Sequence, residues 1–279
     1  MNNDKEFFML KTKHEILNKD GVMLISFPEL SGAVSCFTTR IGGVSRGRYA
    51  SLNMSFSNGD ETKNVLENFK RVCALLNIDH EKLVFSHQTH TDNLMVIKEE
   101  DIGKGIVKER DYDDIDGIMT NITGVGLVTQ FADCVPLLFC DPKKKVIAAS
   151  HAGWKGTVLE IGKKTVIKMG EEFGCNPSDI LVVIAPSICK NCYEVDDLVI
   201  NELNKIKYLN FDEIYYKKEN GKYQLSLHEA NRQILLNAGI KNENITVTDL
   251  CTNCNAHIFH SHRATKGERG NNAAIICLK

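Results

Sequence analysis

The chain contains short runs that are apolar along almost their whole length: LVFS, NLMVI, GVGLVTQ, VPLLFC, KVIAAS, ILVVIAP, NITVT and AAIICL. Such runs are too short for helices, and their Val and Ile content suits strands covered on both faces. A strand with one face in water would alternate apolar and polar residues. Helical periodicity appears over 61–77, where Val65, Leu66, Phe69, Val72, Cys73 and Leu76 share one face, so that Cys73 looks into a core. Two further helices are expected over 155–173 and 226–239, the second opening on a Ser226/Glu229 capping box and ending at Gly239. These helices are too few and too irregularly spaced for a repeated βαβ wind. The expected fold is therefore α/β (α+β mixed): a mixed β-sheet folded into two layers and flanked by helices. No linker, repeat or low-complexity tract divides the chain, and the polar stretch 98–116 reads as a surface loop between structured halves but not as a domain boundary, so one domain over residues 1–279 is expected.

A net charge of -2 with 25% charged residues gives no electrostatic reason to expect nucleic acid or a membrane surface as partner. A small molecule is the expected partner and a monomer the expected state. The N-terminal MNNDKEFFMLKTKHEIL lacks the basic, apolar and small-residue order of a secretory leader, and no apolar run reaches about 18 residues. A cytoplasmic location is expected, and in that compartment the 10 cysteines are thiols, metal ligands or core residues rather than a disulfide framework.

Reactive side chains stand at the edges of the apolar runs. His87 and His90 fall in the turn of 85-FSHQTHTDNLMVI-97, Cys134 opens VPLLFC with Asp133 beside it, and His151 closes KVIAAS. A thiolate and two imidazoles form a donor set suited to zinc or copper, and three protein ligands leave a position open for water or substrate. The spacing of His90, Cys134 and His151 leaves two other readings open. One is a thiolate nucleophile activated by His151, and the other is a buried cysteine beside two hydrogen-bonded surface histidines. Asp133 and His87 are candidate proton-transfer groups. Cys140, at the far end of VPLLFC, reads as an ordinary strand residue.

Cys189-x-x-Cys192 and Cys251-x-x-Cys254 are two ligand-like pairs, but the gap between them far exceeds that of a zinc ribbon. Four reduced loop cysteines are the alternative to a second metal. Two segments suit an anion: 38-TTRIGGVSRGRYASLN-53, with Arg40 and Asn53 flanking a Gly-Gly turn, and 261-SHRATKGERGNN-272, with Arg263 and Arg269. Neither matches a phosphate-binding fingerprint. Trp154, the sole tryptophan, is either a stacking surface for a base or a core plug.

Taken together, TTRIGGVS, YASLN, SHQTH, DGIMT, ADCVPLLFCD, SHAGWKGT, APSICKNCYEV and SHRATKGERGNNAAIICL resemble the YfiH-type family in the family's order, over about 36–278. That family was once described as multicopper polyphenol oxidases or laccase-like proteins and is now described as purine nucleoside phosphorylases; bacterial members are also called peptidoglycan editing factors. The resemblance implies a single α/β catalytic domain with a metal, usually zinc, on the positions that match His90, Cys134 and His151. It implies phosphorolysis of adenosine, inosine, guanosine and methylthioadenosine, with adenosine deamination as a companion activity. Phosphorolysis needs an anion site beside ribose C1′, for which Arg40 is the first choice, then Arg263 and Arg269. The sequence departs from the family at 262–264, where an aromatic and two arginines are usual and His262, Arg263 and Ala264 stand. Two histidines and a cysteine are also the blue-copper set, but the remaining histidines are too scattered for a multicopper cluster.

Overall fold

In a computed structural model that describes residues 12–279, the apolar runs build two six-stranded mixed sheets packed face to face. One sheet runs in the order Glu15–Lys19, Val22–Ser26, Ala33–Thr38, Asn272–Leu278, Gly126–Phe131 and Leu83–Phe85. The other runs Ile245–Val247, Leu181–Ile184, Val135–Asp141, Val146–Ala152, Gly117–Thr120 and Leu94–Val96. A third sheet of Glu194–Val195, Tyr223–Leu225 and Tyr215–Lys217 is hydrogen-bonded to neither, and its Val195 and Leu225 join the core on the helix side of the second sheet. The leader reading rests on residues 1–17, of which 1–11 lie outside the described residues; among the described ones no helix is long and apolar enough to cross a membrane.

Strand periodicity explains the layers. In Val135–Asp141, Leu138 and Cys140 point into the core between the sheets with Phe37, Leu127 and Ile276 of the opposite sheet. Leu137 and Phe139 point the other way, against Val166 and Met169 of the Ile161–Phe173 helix and Ile234 and Leu235 of the Leu227–Asn237 helix. The first sheet has its outer face covered in turn by Val65, Phe69, Val72 and Cys73 of the Thr62–Leu76 helix. The central strands of both sheets are therefore dry on both faces, which is why they read as unbroken apolar runs, while the edge strand Glu15–Lys19 is largely exposed. Cys140 is an ordinary core residue of its strand, its Sγ 3.3 Å from the Ser31 carbonyl.

Local details differ from the expectation in three places. The helix expected over 155–173 is two helices, Trp154–Val158 and Ile161–Phe173, because Glu160 takes a left-handed conformation at φ 57°. The capping box at Ser226 is half formed: Ser226 Oγ accepts from Glu229 N at 3.1 Å, while the Glu229 carboxylate turns to Arg232 and Gln233. The 98–116 stretch is a connection within one sheet, since the strands it joins, Leu94–Val96 and Gly117–Thr120, pair in parallel.

One buried polar residue sets an acid limit on this packing. His260 is 1% exposed, and a Cβ at Gly270 would sit 2.8 Å from its ring. Burial first, then the nearby Arg40 and Arg269 cations, push its pKa down to about 3. The unfolded chain therefore takes up this proton first as pH falls below the ordinary histidine value, and stability is lost between there and about pH 3. His228, pushed down to about 4 by burial, acts in the same direction. We expect Tm to fall by roughly 3–5 °C for each pH unit below 6 for one such proton. A flat melting profile between pH 6 and 4 would contradict the neutral burial of His260.

Candidate active site

Three separate segments converge where the second sheet opens beside the first. His90 comes from the turn after Leu83–Phe85, Cys134 from the turn between Gly126–Phe131 and Val135–Asp141, and His151 from within Val146–Ala152. Their ligating atoms lie within 4.8 Å of one another. Cys134 Sγ is 3.9 Å from His90 Nε2, and the two imidazoles meet edge to face with centroids 4.8 Å apart. Gly153 of the HAGW motif backs the cluster: a Cβ there would stand 3.0 Å from both Cys134 Sγ and His90 Cδ2. Any side chain at 153 would press the ligand atoms apart.

Asp116 organises the site, and the sequence reading passed over it. It is fully buried, and its Oδ1 lies 2.7 Å from His151 Nδ1, which leaves His151 Nε2 as the nitrogen free to face Cys134. The same carboxylate accepts from the amides of Thr89 at 2.9 Å, His90 at 3.2 Å and Thr91 at 2.9 Å, and from the Thr91 hydroxyl at 3.1 Å. One carboxylate thus fixes both histidines, holding one through its ring and the other through its backbone. His90 sits at φ 68°, a left-handed conformation that a non-glycine residue keeps only when its surroundings impose it. Burial works against the charged form of Asp116, but its hydrogen bonds from His151, Thr91 and Thr89 outweigh it and hold the carboxyl at about 2. The only local cue was an acidic residue in DGIMT, at the mouth of an otherwise apolar strand.

The thiol responds to the same charges. Burial would raise the Cys134 pKa, yet the imidazoles of His151 and His90 bring it down to about 6. His151 is pushed the other way, to about 9: burial disfavours its cation, while Cys134 and Asp116 favour it. Without a metal the pair is a thiolate beside an imidazolium; as ligands, the thiolate is ready and the imidazoles need only release a proton.

These residues line one wall of a cavity of about 410 Å3, within the size range of small-molecule sites. Arg263, Arg269, His262, Tyr193 and Leu227 are on its other walls. Arg263 stacks over the Tyr193 ring with its Cζ 5.4 Å from the centroid and donates to the Cys192 and Glu194 carbonyls. Arg269 donates to Asn271 Oδ1 and the Gly270 carbonyl, and its Nε is buried with no hydrogen-bond partner.

Other expected residues are placed differently from the expectation. Arg40, the first choice for phosphate, is not on the cavity wall: its guanidinium donates to the carbonyls of Ala50 at 2.7 and 2.9 Å and of Ala256 at 3.0 Å. Its donors are taken up in joining two loops. Asn53 is fully buried behind the wall, where its Oδ1 accepts from the Asn271 amide at 2.9 Å, so it positions a lining residue instead of lining the cavity. Asp133, a proton-transfer candidate, does line the cavity, but at φ 85° its carboxylate accepts from Thr252 Oγ1 at 2.6 Å and the Arg263 amide at 2.7 Å. His87 is outside the cavity, its Nδ1 3.1 Å from Asp113 Oδ1. Trp154 packs against the helix-side core, and the aromatic ring in the cavity is Tyr193.

The sequence model of the family described as multi-copper polyphenol oxidoreductase laccase matches residues 34–279. The chain belongs to this family. It is 39% identical over 250 residues to a Bacillus subtilis protein named purine nucleoside phosphorylase YlmD, covering 88% of each chain. It is 32% identical to adenosine deaminase RL5 from an unknown prokaryotic organism, covering 86% of this chain and 92% of that one. Among solved structures it superposes on YfiH of Bacillus licheniformis with a TM-score of 0.89 at 36% identity, covering 94% of this chain and 98% of that one. The mixed two-sheet architecture is thus the family's fold, and the family's relatives are named for nucleoside chemistry.

Proposed function

We propose that this chain is a zinc-dependent purine nucleoside phosphorylase acting on adenosine, inosine, guanosine and methylthioadenosine, with adenosine deamination as a companion activity. The observation that carries the reading is the His90, Cys134 and His151 cluster, oriented by Asp116 and facing Arg263 and Arg269 across one cavity. The residues fit a metal: one thiolate and two imidazoles within 4.8 Å, with the second nitrogen of His151 on a carboxylate, are the donor types and outer support that zinc sites use. When bound, zinc supplies Lewis acidity and lowers the pKa of a water molecule, the chemistry that deamination requires.

The chain's own residues divide the rest of the work. Tyr193, braced by Arg263, offers a face on which a purine can stack, with Leu227 and Ile188 completing an apolar surround. Phosphorolysis joins a phosphate oxygen to ribose C1′ as the bond from C1′ to the base breaks, so the anion must be held beside the sugar. Arg269 is the group for it: a guanidinium on the cavity wall with an unpartnered buried Nε. Arg263 has its guanidinium committed to carbonyls and an aromatic face, which suits positioning more than anion capture.

The test is adenosine or inosine with phosphate, followed by chromatography. Ribose-1-phosphate with the free base, and inosine from adenosine, are expected; a metal-loaded protein that forms none of these sinks the reading. Arg269→Gln is expected to raise the KM for phosphate by roughly tenfold or more, equivalent to about 1.4 kcal/mol, with deamination nearly unchanged. Equal losses in both reactions would remove Arg269 from the phosphate site.

A second reading rests on the thiolate and imidazolium pair, which is also the resting state of a cysteine hydrolase. It requires turnover that survives chelation and is lost on alkylation of Cys134. The copper polyphenol oxidase reading gains less. Among the described residues, the other cluster of metal-ligand type is made of cysteines alone, so the histidines of a multicopper centre are not assembled.

A further inference from the structure

Cys189, Cys192, Cys251 and Cys254 form a second cluster, separate from the cavity, with all four sulfurs within 4.8 Å of one another. The Cys192 and Cys254 sulfurs are 3.4 Å apart and those of Cys189 and Cys254 4.0 Å. These spacings bracket the edge of a zinc tetrathiolate, about 3.8 Å for a tetrahedron with metal–sulfur bonds of about 2.3 Å. The gap in sequence that argued against a ribbon is closed by tertiary pairing: Ser187 bridges Cys251 in parallel, and the Thr252 amide donates to the Ser187 carbonyl at 3.0 Å.

The backbone around the sulfurs is arranged for thiolates. Cys251 Sγ accepts from the amides of Cys189 at 3.2 Å and Cys254 at 3.4 Å. Each pair sits on a tight turn: the Cys192 amide donates to the Cys189 carbonyl at 3.0 Å, while Cys251 and Cys254 are closed by the second of those amide–sulfur bonds. Amide donors aimed at sulfur stabilise the charged form, which four reduced, uncharged loop thiols would not need. None of the four is in a disulfide.

We propose that these four cysteines bind a structural zinc ion that braces the wall of the active-site cavity. The ion ties the segment carrying Ile188 and Tyr193, which line the cavity, to the segment carrying Thr252. The Thr252 hydroxyl holds Asp133, the residue before Cys134, at 2.6 Å, and Arg263 reaches the Cys192 carbonyl at 3.5 Å. The site is closed by four protein ligands, so its role is to fix geometry, whereas the three-ligand site keeps a position open.

The test counts zinc per chain by elemental analysis of protein purified under reducing conditions, alongside its cobalt-substituted absorption spectrum. Cys254 is exposed, so Cys254→Ser is expected to leave the core intact, with circular dichroism as the check that the variant is folded. The Cys134→Ala protein is expected to retain one equivalent, with cobalt–thiolate charge-transfer bands of the intensity given by four sulfurs. Cys254→Ser is expected to lose that equivalent and those bands, and the double variant to hold none. A Cys134→Ala protein without zinc overturns the proposal, as does a Cys254→Ser protein with unchanged metal content. A disulfide between Cys192 and Cys254 in a non-reducing peptide map of that Cys134→Ala protein, in place of the zinc, also overturns it. These counts are independent of turnover, so failure of the phosphorylase reading would leave them untouched.

Discussion

The Cys134→Ala protein is expected to fold with a Tm close to that of the metal-free wild type and to lose turnover of adenosine and inosine by about 10³-fold or more. The small effect on stability follows from location: Cys134 is half-buried at the cavity wall, and alanine removes one sulfur from a surface already open to solvent. The large effect on activity follows from charge. The sulfur is the only donor of the cluster that brings a negative charge to a metal, and the only nucleophile if no metal is used. Chelation separates these cases. If chelator abolishes wild-type turnover and zinc restores it, the thiolate acts as a ligand. If turnover survives chelation and disappears on alkylation, it acts as a nucleophile. Wild-type rates from Cys134→Ala would rule out both.

Asp116→Ala should be the most damaging single substitution near the site for zinc affinity and stability together. It strips the partner from His151 Nδ1, from the amides of Thr89, His90 and Thr91 and from the Thr91 hydroxyl, and it leaves those donors in a place where Asp116 itself has no exposure. Breaking a buried pair of this kind costs about 3–5 kcal/mol. Loss of the outer partner of a ligating histidine weakens metal binding by roughly 10- to 100-fold. Urea unfolding of the metal-free proteins reads the first effect, and competition with a chromophoric chelator reads the second. Asp116→Asn keeps one acceptor oxygen and the shape, so it should fall between. Wild-type zinc affinity in Asp116→Ala would show that His90 and His151 are held by something else.

Several features were open to reading along the chain. Runs covered on both faces announce themselves as unbroken apolar segments, and each of those runs contains a strand. The face of the Thr62–Leu76 helix was equally plain, with Val65, Phe69, Val72, Cys73 and Leu76 buried as their spacing requires. Buried Asn68 on that face was not foreseen; it clamps Val44, Ser45 and Asn53 of a loop far away in sequence. The Glu15–Lys19 and Val22–Ser26 hairpin carries an Asp20-Gly21 turn that periodicity alone passes over. The break at Glu160 follows from a left-handed residue that no propensity marks.

Sequence by itself determined the layers and the candidate ligands, because burial on both faces and the chemistry of thiol and imidazole are properties of residues and their near neighbours. The tertiary structure alone decided which groups meet. It turned Arg40 onto backbone carbonyls, set Asn53 behind the cavity wall, left Arg269 with an unpartnered nitrogen and brought Asp116 under both histidines. It also closed the distance between two cysteine pairs whose spacing along the chain argued against a shared ion. The physical reason is range: hydrophobic periodicity repeats within a few residues, whereas hydrogen bonds and metal ligation act over a few ångströms between groups that only chain folding brings together.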